Sequence, residues 1–217
     1  MQRIVNAGFA ILLLPFCIGS LNALVEVILK TEQADAVWVA LAAGAACWYV
    51  VYLLLPKPMW AYVFGHELTH AIWAWASGGK VEKFKVTPSG GHIVVTKTNF
   101  LTTLAPYFFP IYAALVLLIF LALQLFCDVR PHSMWFHLLI GAAYAFHITL
   151  TLRVLKTHQS DIAQSGYLFS ATVIWLGNIV VLLLAVPLLT DQVSIVTALS
   201  LCWVETENVF RQIARWM

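Results

Sequence analysis

Two histidines four residues apart enclose a glutamate in the stretch His66-Glu67-Leu68-Thr69-His70. In a helix, positions four apart lie one turn above each other on one face, so both imidazoles can point at a single metal ion. Glu67 lies beside that face, within reach of a water held by the ion. For this reason an H-E-x-x-H pattern reads as two zinc ligands and a general base. Hydrolytic zinc usually takes three protein ligands and keeps one position for water, so a third ligand must come from elsewhere. Asp161 is the expected one, and His147, His158 and Glu205 are the competitors. The plainer reading of Asp161 is a carboxylate capping a helix. For the histidines it is a set of buried polar residues bonding neighbouring helices.

The elements that must position these groups are apolar. Of the 217 residues, 62% are hydrophobic and 10% charged, against roughly 45–50% and 25% in soluble domains. The expected fold is an all-α, multi-pass membrane protein of about six transmembrane helices, with a short membrane-associated β-hairpin after the H-E-x-x-H helix. The expected spans are residues 4–29, 37–55, 59–77, 100–126, 134–152 and 166–189. The third is about 28 Å long at 1.5 Å per residue, enough to cross the hydrocarbon layer. It nevertheless holds His66, Glu67 and His70. A charged form near the bilayer centre costs about 2.5–3.5 kcal/mol per group on insertion scales, which simple packing gives no reason to incur.

Gly78-Gly79 ends that helix, and β-branched segments on either side of Thr87-Pro88-Ser89-Gly90-Gly91 predict the hairpin. Asn99, Pro106 and Pro110 shape the fourth span and receive no catalytic role. A polar interruption at 153–165 carries His158 and Asp161. The apolar stretch 193–204 is too short to cross, and Glu205, Glu207, Arg211 and Arg215 follow it in what reads as an interfacial amphipathic tail. Three regions result: 1–57 with two N-terminal spans, 58–189 as a metalloprotease core, and 190–217 as the tail.

Charge and cysteine usage exclude other classes. A net charge of +2 with scattered Lys and Arg gives no nucleic-acid footprint. The four cysteines stand singly, without metal or redox spacing, and imply no disulfide. Across six spans, Lys30, Lys80, Lys83, Lys85, Lys97, Arg153 and Lys156 fall on one side and Arg3, Lys57, Arg130, Arg211 and Arg215 on the other. The positive-inside rule therefore puts the hairpin and the Asp161 loop on the cytoplasmic side, so the active site is expected to open towards the cytoplasm.

The H-E-L-T-H-A run at 66–71 on a membrane helix, then Gly78-Gly79-Lys80-Val81, a short hairpin and a further span, resembles the site-2 protease family of intramembrane zinc metalloproteases. The likeness covers roughly residues 59–189. It implies a Zn2+ cofactor, a lipid-bilayer setting and a transmembrane protein as substrate. That family's third ligand is an aspartate in an L-D-G motif preceded by N-x-x-P. Here the matching place reads Ser160-Asp161-Ile162, with Gly166 further on and no N-x-x-P before it. There is also no PDZ-like insertion. The resemblance gives the hairpin a role: Ile93, Val94 and Val95 would form an edge on which an unwound substrate segment adds as a strand. In the implied mechanism Zn2+ on His66, His70 and Asp161 activates water, while Glu67 takes the proton and returns it to the leaving amine. The alternatives are a membrane zinc peptidase of the prenyl-protein protease type, with Glu205 as third ligand, and a catalytically silent membrane protein that binds metal or a partner helix.

Overall fold

The computed structural model describes residues 2–87 and 90–216, so Pro88 and Ser89 of the expected hairpin turn lie outside the described residues. In chain order the elements are α1 (Gln2–Leu29), α2 (Asp35–Leu54), α3 (Met59–Ala76), β1 (Val81–Thr87), β2 (Gly90–Val95), α4 (Phe100–Leu104), α5 (Ile111–Gln124), α6 (Ser133–Leu155), α7 (Ser160–Ser165), α8 (Tyr167–Thr190) and α9 (Ile195–Trp216). Short 3-10 turns at Ala105–Tyr107 and Arg130–His132 join α4 to α5 and precede α6. The chain divides into two compact units, Ala36–Gln159 on the one hand and Met1–Asp35 with Ser160–Met217 on the other.

Among the described residues, four helical stretches are long and apolar enough to cross a membrane: Ile4–Leu29, Asp35–Leu54, Arg130–Leu155 and Tyr167–Thr190. A fifth candidate is the pair Phe100–Tyr107 and Ile111–Gln124, bent by 85° at the break. Length and composition thus support four or five spans instead of about six. The stretch 100–126 is not one straight helix, because Pro106 and Pro110 both lack the amide hydrogen that a continuing helix needs. α3 is not among the candidates, since three ionisable side chains in 18 residues lower its hydropathy.

In the unit Ala36–Gln159, α2 and α6 cross where each presents a glycine to the other's backbone. A side-chain carbon at Gly44 would lie 2.7 Å from the Leu138 carbonyl carbon, and one at Gly141 would lie 2.9 Å from Leu41 Cα. Small residues at such crossings let membrane helices approach until their backbones touch. Trp48 Nε1 then donates to Thr149 Oγ1 at 2.9 Å, and its ring meets Phe146 edge-on at 4.9 Å.

α3 begins after Pro56-Lys57-Pro58 and stops at Gly78, whose φ of +71° is the left-handed conformation that closes a helix. The Gly79 amide returns to the Ala74 carbonyl at 2.8 Å. This stop turns the chain directly into the hairpin. β1 and β2 pair antiparallel from Val81↔Val95 to Thr87↔Gly90, with a bulge between Val81 and Lys83.

In the other unit, α1 packs against α8 and α9. Asn6 Nδ2 donates to the Ser165 carbonyl at 2.8 Å, and Cys17 lies by Thr172, so α1 and α8 run the same way. Phe16 meets Phe210 at 5.6 Å and Gly19 abuts Thr206, so α9 runs back along α1. Residues 195–216, which take in most of the expected apolar stretch and the charged positions of the expected tail, form one 22-residue helix seated by Ala198, Thr206 and Val209.

Candidate active site

His66, Glu67 and His70 all lie on α3, and the ring centroids of the two histidines are 4.9 Å apart at 80°. Glu67 and His70 are buried, while His66 is half-buried with Tyr107 edge-on at 5.2 Å and Tyr62 at 5.9 Å. The i, i+4 spacing thus yields two neighbouring imidazoles in an enclosed setting.

His70 is held from outside its own helix. Its Nδ1 lies 2.7 Å from the backbone carbonyl of Thr102. A carbonyl can only accept, so in the neutral ring Nδ1 carries the proton and Nε2 keeps a lone pair for a metal. An outer hydrogen bond of this kind is how metal-binding histidines are oriented. The local sequence makes that carbonyl available. In α4 the Thr102 oxygen would receive the amide of residue 106, but residue 106 is proline. Asn99 fixes the start of the same turn, its side chain accepting from the Thr102 amide at 2.8 Å and donating to Ser77 Oγ at 2.9 Å. No motif in the sequence singles out Thr102. The signal that could have found it is a proline four residues downstream in a segment that otherwise reads as helix.

Glu67 is set by the hairpin. A side-chain carbon at Gly91 would fall 2.5 Å from Glu67 Oε1 and 2.7 Å from its Cδ. Glycine is needed here for close approach: only a residue without Cβ lets β2 lie against the carboxylate. In the sequence Gly91 reads only as part of the hairpin turn, and its role against Glu67 comes from the fold.

Of the remaining candidates, Ile93, Val94 and Val95 are half-buried residues of β2, whose sheet has two strands among the described residues. Asp161 stands in the first turn of α7, in the unit that does not contain α3. His147 is buried in α6, His158 lies between α6 and α7, and Glu205 is half-buried on α9.

Two imidazoles on one helix face, one of them fixed as its Nδ1–H tautomer, suit zinc, which takes nitrogen donors readily. No curated protein and no solved structure matches the chain. A family model, Peptidase M50B-like, matches residues 36–150. The match begins earlier than the expected likeness, taking in α2, and contains the H-E-x-x-H helix and the hairpin, but ends before Asp161. It covers more than half of the chain and agrees with the apolar helices and the paired histidines, so the chain belongs to the Peptidase M50B-like family, membrane metallopeptidases of the site-2 protease group.

Proposed function

We propose that this membrane protein is a zinc endopeptidase that cleaves transmembrane protein substrates within the bilayer, with His66, His70 and Asp161 as zinc ligands and Glu67 as the proton-transferring group. The observation that carries this reading is the hydrogen bond from His70 Nδ1 to the Thr102 carbonyl, which leaves Nε2 directed to a ligand role. Zinc, when bound, supplies the Lewis acidity that activates water and polarises a peptide carbonyl. Glu67 accepts the proton of the attacking water and delivers it to the leaving amine. Its burial and its contact with Gly91 limit the positions its carboxylate can take. Asp161, the acidic residue in the first turn of α7 just before α8, adds a hard oxygen donor and a negative charge suited to a dication.

A transmembrane substrate arrives helical, with its carbonyls engaged in i→i−4 bonds, and must be extended before attack. The outer edge of β2 at Ile93, Val94 and Val95 offers replacement backbone hydrogen bonds by strand addition. The site opens towards the cytoplasm, following the excess of Lys and Arg on the hairpin side.

The test is zinc content together with cleavage of a membrane-spanning reporter peptide, for wild type and Glu67→Gln. Zinc in both and cleavage by wild type alone supports the proposal. Zinc in both and cleavage by neither makes the protein a metal-binding membrane protein instead.

A further inference from the structure

Against the helix face that carries His66 lies a small cavity, bordered by Tyr62, His66, Thr69, Tyr112 and His147, with about 10 Å3 in which the centre of a water molecule can sit. That is about the room one water needs, roughly 10–15 Å3 by this measure. His147 comes from α6, is 6% exposed, and its Nε2 is buried with no hydrogen-bond partner among the described residues. Buried imidazole nitrogens without a partner are rare, because the group loses its bonds to water and gains nothing in return. An apolar residue would fill this place in a hydrophobic helix without that penalty. Nε2 donates to a water in the tautomer that protonates it and accepts from one in the other, so one water satisfies it whichever nitrogen holds the proton.

The cavity also borders His66. Metal-binding histidines are oriented by a carboxylate, a carbonyl or a water on the side away from the ion. For His70 that group is the Thr102 carbonyl. We propose that His147 is the corresponding positioning residue for His66, acting through one buried water in the cavity the two side chains share. The inference rests on His66 being a metal ligand. His147 is then neither a third ligand nor a mere helix-packing residue, but the group that holds the His66 ring at the angle the ion requires.

The test uses the full-length protein in detergent, stripped of zinc and titrated with Co2+, whose visible absorption bands report ligand geometry. His147→Leu is expected to bind about 10–100-fold more weakly, the usual effect of losing an outer partner, with shifted bands. His147→Gln, which keeps a polar end, recovers most of the affinity and the wild-type bands. Unchanged affinity and bands in His147→Leu overturn the inference while leaving the metal site standing. If wild type and His66→Ala alike bind no Co2+, the metal site fails and the inference falls with it. Should His147→Leu not fold, an experimental structure of the wild type decides: a water within about 3.2 Å of His147 Nε2 upholds the inference, and a dry cavity overturns it.

Discussion

The carboxylate of Glu67 lies against the backbone of Gly91, so the hairpin strand and the H-E-x-x-H helix meet at the side chain proposed to move the proton. The three atoms nearest an added methyl all belong to the Glu67 side chain, which can swing aside where backbone could not. Gly91→Ala should therefore displace the carboxylate and leave the helices in place. A misplacement of about 1 Å can lower turnover roughly a hundredfold. Reporter cleavage should fall by about that factor, while zinc content and circular dichroism match wild type. Wild-type cleavage by the alanine variant would refute the role given to this contact.

Pro106 keeps the Thr102 carbonyl available to His70. Pro106→Ala restores an amide that competes for that oxygen and lets α4 extend. Zinc affinity should drop by about 10–100-fold, the range for a lost outer partner, with only a small loss of thermal stability, since proline suits its place at the start of the 3-10 turn. Competition with a chromophoric chelator measures the affinity. A wild-type value would mean that His70 needs no external anchor.

Asp161→Asn keeps the shape of the side chain and removes its charge. Because Asp161 is the proposed third ligand, this change should weaken zinc binding by more than the roughly 10–100-fold typical of an outer partner, with helical content intact. Glu205→Gln, made in parallel, should bind zinc as wild type does. The reverse pattern would transfer the third ligand to Glu205.

Gly141→Ala introduces a carbon 2.9 Å from Leu41 Cα, where backbone cannot yield as a side chain would. The α2–α6 crossing should lose about 1–3 kcal/mol, as overpacked cores do. Unfolding in mixed detergent and dodecyl sulfate should register the loss. An unaffected midpoint would show that the two helices can slide apart at no penalty.

Sequence alone determined the features that depend on near neighbours along the chain. The i, i+4 spacing of His66 and His70 needs only a helix to place both rings on one face, and α3 supplies it. Alternating β-branched residues on either side of the turn expected at 87–91 are enough to specify β1 and β2. Apolar runs likewise mark α1, α2, α6 and α8, since hydropathy is summed over a local window. Tertiary structure decided what depends on residues far apart. The bond from His70 to Thr102 joins positions 32 residues apart, and nothing in hydropathy says which carbonyl will face an imidazole. The 85° break between Phe100–Tyr107 and Ile111–Gln124 separates a run that composition reads as one span, because proline spacing permits a bend without setting its angle. Residues 195–216 became one helix seated on α1 through Thr206 and Gly19, although their charges suggested a separate tail. In each case local propensity allowed several outcomes, and close packing against a distant partner selected one of them.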